Sequence, residues 1–283
     1  MSFESREISN QDGLRIALYE IEWGETKWYY TSADKDLTFD IPVDVGTETR
    51  TYKAVAISDS GMTQGGSNNN DITVSAPSNI PLRDLFASTP PSLEIWLTIR
   101  RAHYGDTDPP LIYWSGTITN VKPQEGNAGI DIVGKTLLAS FGRSGLRLAW
   151  TRGCPHMLYD QDCGVDRELH ARTGTISALT GNSVTVTFDD PAPVAGWFDG
   201  GFIQWEASLE GTVDRRGIVS SPLDNKFIIF GTTYRLAVGM EVKLYPGCDL
   251  ATGTCLNKFD NLANYGGFEQ MTGKNPFDGT AII

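Results

Sequence analysis

Residues 14–31 read Leu-Arg-Ile-Ala-Leu-Tyr-Glu-Ile-Glu-Trp-Gly-Glu-Thr-Lys-Trp-Tyr-Tyr-Thr. The first ten of these residues largely alternate apolar and polar side chains, which is typical of a half-buried β-strand. Residues 24–26 then predict a turn, and residues 27–31 predict the strand that returns beside the first. This stretch therefore indicates β-structure built from short paired strands.

Short strand patterns continue through the first half of the chain. Strands are predicted at residues 37–45, 52–58, 71–75, 93–101, 111–121 and 129–138. Residues 60–70 hold three glycines and three consecutive asparagines, so they predict a flexible loop. Residues 80–86 predict one short helix, which Pro90 and Pro91 would stop. We therefore predict a β-rich domain at residues 1–150.

A second β unit is predicted at residues 172–247. Its strands are predicted at residues 173–176, 183–188, 217–220, 226–230 and 240–244. Thr180-Gly181-Asn182 predicts a hairpin turn between the first two strands, and residues 196–205 form an aromatic stretch that contains a turn. Short strands with turns between them indicate a small β-barrel. The fold class is therefore predicted as mostly β.

Composition and charge argue against several classes of protein. The chain has 283 residues, of which 40% are hydrophobic, so it can bury a core without relying on cysteines to fold. Its net charge of −12 argues against nucleic-acid binding through phosphate neutralisation, which needs clustered Lys and Arg. The polar residues 1–7 do not resemble a signal peptide, and no run approaches the roughly 18 apolar residues of a membrane helix. We therefore expect synthesis in the cytoplasm.

Four cysteines form two pairs, one on each side of the predicted barrel. Eight residues separate Cys154 from Cys163, six separate Cys248 from Cys255, and the chain has no other cysteine. If the two pairs meet in space, the barrel is an insertion whose ends are held together. The predicted first cysteine segment is residues 151–171, and the second, with the C-terminal tail, is residues 248–283.

The chemistry of the four cysteines has three alternatives: a metal centre, two disulfides or unlinked core thiols. Thiols persist in a reducing cytoplasm, where paired cysteines are more often ligands than disulfides. Thiolates suit both zinc and iron–sulfur clusters. Zinc knuckles usually keep roughly two to four residues between paired ligands, and both gaps here are wider. We therefore favour a metal centre, and we prefer a cluster over zinc because a cluster is larger than one ion.

We interpret the three histidines mainly as surface or structural residues. His156 follows Cys154 by two residues and offers a replacement ligand, but a surface or hydrogen-bonded histidine is the more common case. His103 and His170 have no partner pattern, so we expect both to be solvated or structural.

The sequence contains no enzyme motif, and no residue is predicted to be catalytic. A Gly-x-Ser-x-Gly elbow, a P-loop, a His-Glu-x-x-His motif and a Rossmann fingerprint are all missing. Asp160, Asp162 and Asp166 lack the spacing of an EF-hand, so they are expected to be surface charges. Glu206 and Glu210 have the side chains of a general acid–base pair, but a polar loop of the barrel is the favoured interpretation. The alternative function is an iron–sulfur or zinc enzyme with the metal in a substrate cleft.

Three segments carry a resemblance to a known family. Residues 151–166 read Thr-Arg-Gly-Cys-Pro-His-Met-Leu-Tyr-Asp-Gln-Asp-Cys-Gly-Val-Asp, and residues 246–261 read Pro-Gly-Cys-Asp-Leu-Ala-Thr-Gly-Thr-Cys-Leu-Asn-Lys-Phe-Asp-Asn. They resemble the two cysteine segments of tail-tip or baseplate hub proteins of long-tailed phages and gene transfer agents. Asn264-Tyr265-Gly266-Gly267-Phe268 resembles the run that follows in that family. The lambda-like tail-tip protein L group is similar, and the gene-transfer-agent hub group is closer.

The resemblance implies an iron–sulfur cofactor and a place in a virion. It implies a cluster, 4Fe-4S in type, ligated by Cys154, Cys163, Cys248 and Cys255, with zinc as the alternative metal. Residues 1–150 would then be a β-rich hub domain, and the cluster would clamp the barrel insertion to it.

The resemblance also implies a set of partners. It implies a homotrimer around the tail axis, placed between the distal tail protein and the central fibre or receptor-binding assembly. The chain would belong to the tail tip or baseplate of the virion, after synthesis and assembly in the cytoplasm of a host bacterium. DNA would pass transiently without specific binding, and no membrane anchor is expected.

Overall fold

The structure is a computed structural model that divides into two compact units. Unit 1 comprises residues 1–143 and 206–214, and unit 2 comprises residues 144–205 and 215–283. The division into four segments predicted from the sequence (residues 1–150, 151–171, 172–247 and 248–283) stays a prediction. The structure describes residues 7, 13–62, 71–105, 108–127, 129–136, 150–188, 194–208, 210–223 and 225–271.

Unit 1 is built on one nine-stranded sheet with the strand order β3-β4-β2-β1-β7-β8-β9-β6-β5. Its neighbouring strands are antiparallel except for β2 and β4, which run parallel. One short helix, α1 (Leu82–Leu85), lies between β6 and β7. The strands are β1 (Arg15–Trp23), β2 (Thr26–Thr31), β3 (Leu37–Pro42), β4 (Thr47–Ala54), β5 (Ser58–Asp59), β6 (Ile72–Pro77), β7 (Ile95–His103), β8 (Leu111–Pro123) and β9 (Gly129–Thr136).

The predicted pair of strands at residues 14–31 is confirmed as β1 and β2. Leu18 lies opposite Thr31 and Trp23 lies opposite Thr26, so the turn contains only Gly24 and Glu25. Gly24 has φ +58°, a left-handed conformation that glycine adopts without strain.

The prediction that β1 is half-buried is wrong, because both faces of this strand are covered. Residues 16–21 are all buried. Leu18 packs in one core with Tyr52, and Tyr19 packs in a second core with Leu97. The polar Glu20 falls on the first of these faces, which is why the sequence alternates although the strand is central.

Glu20 is a buried carboxylate held by two arginines. It is 3% exposed. Its oxygens lie 3.0 Å from Arg50 Nη1 and 2.9 Å from Arg100 Nε. The Tyr52 hydroxyl donates a further hydrogen bond to the same carboxylate. A buried charge is tolerated only when it is paired and hydrogen-bonded, and Glu20 meets both conditions.

A second buried carboxylate, Asp59, joins β5 to the centre of the sheet. Arg101 Nη2 donates to both of its oxygens, at 2.7 and 2.8 Å, and the Tyr19 hydroxyl donates at 2.7 Å. Burial would raise the pKa of Asp59, but the hydrogen bonds from Arg101 and Tyr19 outweigh burial and hold that pKa below its ordinary value.

We predict that Asp59→Asn reduces the pH dependence of unit 1 stability. A lowered carboxyl pKa stabilises the fold above the unfolded pKa of about 3.9, and this stabilisation is lost as the pH falls through the folded pKa. The free energy of unfolding of the variant should be lower than that of wild type by about 1–3 kcal/mol near neutral pH. It should also fall less than that of wild type between about pH 6 and about pH 3. Urea unfolding across this range measures both effects. The control is Asp44→Asn, at an exposed position; an equal pH slope in Asp59→Asn and wild type would contradict the prediction.

Unit 2 contains the predicted barrel, which is closed with the strand order β10-β11-β14-β13-β12-β15. Its interior is filled by side chains such as Ile176, Val184, Trp205, Phe227 and Leu244, all of which are buried. The barrel strands are β10 (Arg172–Thr180), β11 (Ser183–Phe188), β12 (Phe202–Glu206), β13 (Val213–Leu223), β14 (Lys226–Ile229) and β15 (Glu241–Tyr245). The helices are α2 (Arg167–His170) and α3 (Thr252–Phe259).

Residues 206–214, from the last residue of β12 to the second residue of β13, belong to unit 1 by their contacts. The Thr212 hydroxyl lies 3.0 Å from the Trp23 carbonyl oxygen, to which it donates, and accepts the backbone N–H of Thr26 at 3.2 Å. Glu210 accepts the Thr26 hydroxyl at 3.3 Å. The predicted polar loop is therefore confirmed, although its contacts are with the β1–β2 turn rather than with the barrel.

Several predicted boundaries differ from those observed. The predicted strand at residues 173–176 extends to Thr180, and neither α2 nor α3 was predicted. Parts of the predicted loop at residues 60–70, of the predicted strand at residues 129–138 and of the tail lie outside the described residues. No helix within the described parts of the chain has the length and apolar content needed to cross a bilayer.

Candidate metal centre

All four cysteines line one small cavity in unit 2. Cys154, Cys163, Cys248 and Cys255 surround a space of about 20 Å³, room for about one water molecule. All four are free thiols, so the alternative of two disulfides is not what the structure contains. The structure therefore brings together every residue that the sequence analysis named as a ligand.

The loop that carries the first two cysteines is ordered by Asp160. Its carboxylate accepts the backbone N–H of Met157 at 2.9 Å and that of Cys163 at 2.6 Å. The prediction of surface charges holds for Asp162 and Asp166, which are both exposed, whereas Asp160 is partly buried. Asp160 orders the loop, and Asp166 caps α2 by accepting the backbone N–H of Glu168 at 2.9 Å.

Tyr159 attaches this loop to the end of the barrel. Its hydroxyl donates to the Pro246 carbonyl oxygen at 2.6 Å. Its ring meets Phe202, Tyr245 and Phe259 edge-on, with centroids 6.3–6.5 Å apart. Burial, and then the charges of nearby thiols, raise the pKa of Tyr159, so it stays a hydrogen-bond donor. The residue has φ +69°, a costly conformation for a bulky side chain, which these contacts offset.

We predict that Tyr159→Ala destabilises unit 2 by about 3–5 kcal/mol, because it removes a ring packed against three aromatic residues. Tyr159→Phe should cost only about 1–3 kcal/mol, the penalty for leaving the Pro246 carbonyl without its donor. Urea unfolding of both variants measures the difference. Equal losses in the two variants would mean that the ring contacts contribute little.

The second cysteine pair begins where β15 ends. The Leu250 carbonyl oxygen accepts the backbone N–H of Cys154 at 3.0 Å, and the Leu250 N–H approaches Cys248 Sγ at 3.3 Å. Gly247 precedes Cys248, and a Cβ on Gly247 would lie 2.2 Å from the Asp199 carbonyl oxygen. Only glycine fits this close approach, which fixes where the chain leaves the barrel.

Asn261 joins one cysteine of each pair. Its side-chain Nδ2 donates to the Cys163 carbonyl oxygen at 2.6 Å and lies 3.9 Å from Cys163 Sγ. Its backbone N–H donates to the Cys255 carbonyl oxygen at 3.0 Å, and its carbonyl oxygen accepts from Cys255 Sγ at 3.2 Å. Asp260 ends α3 with φ +48° and turns the chain back so that Asn261 reaches both cysteines.

The Asn-Tyr-Gly-Gly-Phe run closes over the first cysteine segment. The Tyr265 hydroxyl donates to the Arg152 carbonyl oxygen at 2.8 Å. The Phe268 N–H donates to the Thr151 carbonyl oxygen at 2.9 Å. A Cβ on Gly267 would lie 2.6 Å from the Arg152 carbonyl oxygen, so a larger residue there would push the two segments apart.

His156 also lines the cavity, which the sequence analysis did not favour. Its side chain is 21% exposed, and its Nδ1 has no hydrogen-bond partner among the described residues; Asp162 Oδ2 lies 4.0 Å away. A Cβ on Gly266 would lie 2.3 Å from its Nε2, so the glycine makes room for the ring. The other histidines are structural: His170 packs edge-on against Phe259 at 5.1 Å, and His103 is buried in unit 1.

The thiols of the second pair are held in their protonated form. Burial raises the pKa of Cys248, and the negative charges of Asp249 and of the neighbouring cysteines raise it further. Burial and the other three thiols raise the pKa of Cys255 in the same direction. A bound metal cation would reverse this balance and displace the protons, because metals bind the thiolate form.

The arrangement differs from that of a site for one ion. No group of three His, Cys, Asp or Glu side chains is arranged to hold a single metal ion in the parts of the chain that the structure describes. The four thiols nevertheless face one cavity. Four thiols are the donor set that a soft metal centre uses.

Two comparisons with known proteins found a match. The profile of the family described as "Phage conserved hypothetical protein BR0599" matches residues 196–275, a range that includes Cys248 and Cys255. A chain of the solved structure "Virion of native gene transfer agent (GTA) particle" matches with a TM-score of 0.75 and 16% identity, over 99% of this chain and 96% of that chain. No curated protein matches. The fold is thus shared with a virion chain, whereas the hub position and the cluster stay predictions.

Proposed function

We propose that this chain is a structural subunit of the tail tip or baseplate hub of a long-tailed phage or phage-like particle. The observation that carries the proposal is the fold match along nearly the whole chain to a chain of a gene transfer agent virion. The family match at residues 196–275, whose description also names a phage protein, supports it independently.

We also propose that Cys154, Cys163, Cys248 and Cys255 hold an iron–sulfur cluster of the four-iron type. Support comes from the convergence of all four thiols on one cavity although the two pairs are far apart in sequence. The gaps of eight and six residues within the two pairs are wider than those of a zinc knuckle, which favours a cluster over zinc. The cavity has room for about one water, so binding a cluster would require the thiol side chains to turn outward. Three of these cysteines lie outside helices and strands, which leaves room for that adjustment.

The proposed role of the four cysteines is mechanical. When bound, the cluster supplies a crosslink between the segment before the barrel and the segment after it. Closing a loop of about 85 residues by a crosslink stabilises a fold by about 4–5 kcal/mol in the chain-entropy treatment. Asp160, Asn261 and Tyr265 order the surrounding backbone before the crosslink forms.

The partners of the subunit follow from the same proposal. We propose a homotrimer around the tail axis, in contact with the distal tail protein and with the central fibre or receptor-binding proteins. The support is the family resemblance of the cysteine segments together with the shared virion fold. The net charge of −12 fits a surface that DNA passes without binding.

Electron microscopy of purified particles tests this function. Gold-labelled antibodies against the chain should mark the tail end that lies away from the head, and averaged density there should have threefold symmetry. Chain that is abundant in the lysate but missing from purified particles would overturn the proposal. The matched control is an antibody against the major tail-tube protein, which should mark the length of the tail.

A further inference from the structure

Lys258 connects three parts of unit 2 beside the four-cysteine cavity. It lies in the last turn of α3, three residues after Cys255. Its Nζ donates to the Trp197 carbonyl oxygen at 2.5 Å and to the Gly247 carbonyl oxygen at 2.7 Å. The same ammonium lies 5.0 Å from the centroid of the Trp197 ring and 5.5 Å from that of Phe259. One side chain thus connects α3 to the turn that precedes β12 and to the residue before Cys248.

Acidic side chains lie near the Lys258 ammonium group. Burial lowers the pKa of Lys258, whereas Cys248, when it is a thiolate, and the carboxylates of Asp199 and Asp249 act in the opposite direction. Two carbonyl oxygens and two aromatic faces compensate a half-buried cation only in part. Four thiolates around a divalent metal, or around a cluster, would add the missing negative charge.

We propose that Lys258 is the positioning residue of the four-cysteine centre: it fixes Cys255 relative to Cys248 and offsets the negative charge of the bound thiolates. The inference rests on the proposed function in that the centre binds a thiophilic metal. It adds a residue that the cysteine spacing does not indicate. Partners outside the ligand set commonly change metal affinity by about 10–100-fold.

Two replacements of Lys258 test this role, and a replacement of Lys243 serves as control. Lys258→Met removes the charge and both hydrogen bonds, whereas Lys258→Arg keeps the charge and the ability to donate to two carbonyls. The control is Lys243→Met on β15, which removes an equal charge from unit 2. Lys243 is partly exposed and has Nζ 3.4 Å from Glu168, a surface pair of little energetic weight.

The experiment titrates the reduced, metal-free full chain with Co²⁺ and follows the thiolate-to-cobalt charge-transfer absorption. We expect Lys258→Met to weaken Co²⁺ binding by about 10–100-fold, with Lys258→Arg and Lys243→Met close to wild type. Circular dichroism checks folding. If Lys258→Met does not fold, Lys258→Gln replaces it, since the shorter amide side chain removes the charge and keeps a polar group, and we expect weakening in the same direction.

The outcomes separate this inference from the proposed cluster. Equal Co²⁺ affinity in wild type and in the folded neutral variant overturns the role of Lys258, even if anaerobically purified wild type contains iron and sulfide. If Co²⁺ binding depends on Lys258 but the anaerobically purified wild type contains neither iron nor sulfide, the role of Lys258 is supported and the cluster is overturned. A wild-type chain that binds no Co²⁺ overturns the role of Lys258, and one that also contains no iron overturns both.

Discussion

Cys248→Ser is expected to abolish the metal centre. A serine hydroxyl is a hard and weakly acidic donor, so a site that needs four soft thiolates loses one of its ligands outright. Loss of the crosslink should also lower the free energy of unfolding of unit 2 by about 4–5 kcal/mol. Iron and sulfide analysis of anaerobically purified protein measures the first effect, and urea unfolding measures the second.

The matched control for this variant is His156→Gln, which changes a cavity-lining residue that we do not assign as a ligand. It should keep its iron and stay within about 1 kcal/mol of wild type. If Cys248→Ser retained full metal and full particle assembly, the crosslinking role would be wrong. If His156→Gln lost its iron, the histidine would be a ligand and the set of four thiolates would need revision.

Glu20→Gln is expected to destabilise unit 1 by about 3–5 kcal/mol, because it leaves the buried guanidinium group of Arg50 and the mostly buried one of Arg100 without their shared carboxylate. The two side chains have nearly the same shape, so the effect reports the lost charge. Arg50 keeps Glu48 as a second partner, which limits the loss but does not replace the carboxylate that both arginines share. Urea unfolding measures the change.

The control for this prediction lies two residues along the same strand. Glu22 pairs with Lys27 at 3.6 Å, and both side chains are well exposed, so Glu22→Gln should cost less than about 1 kcal/mol. Similar losses in the two variants would mean that the buried network adds no stability beyond a surface pair. Iron content should be unchanged in folded Glu20→Gln, which separates this effect from that of Cys248→Ser.

The strands were largely predictable because their signals are local. The turn residues Gly24 and Gly181 mark hairpins between runs of β-forming residues, and both turns occur as predicted. Whether a strand is buried on one face or on both depends on contacts with residues that are distant in the sequence. β1 alternates in sequence because Glu20 is polar, but the cover on that face comes from β3 and β4, which no period in β1 encodes.

The grouping of the four cysteines was expected from the sequence, but the residues that order the chain around them were not. Cysteine is rare enough for its spacing to be informative, and the structure brings all four together. Asp160 lies three residues before Cys163, and an Asp at such a position commonly orders a turn. Its role could therefore have been predicted from the sequence. Asn261 and Lys258 act across the folded chain and carry no local signature.

The helix α3 was missed for a related reason. Its eight residues, Thr252–Phe259, include Gly253 and two threonines, which have weak helix propensity. The helix is held instead by tertiary contacts, including the burial of Cys255 and Phe259 and the two hydrogen bonds of Lys258. Propensity summed over so short a window cannot predict such a segment.

Analysis of iron and acid-labile sulfide in the anaerobically purified full chain is the most direct test of the four-cysteine centre. We predict brown protein with about four iron and about four sulfide per chain, and thiols that become titratable only after the cluster is removed. Protein that contains neither iron nor sulfide, or that contains zinc alone, would contradict the proposed cluster.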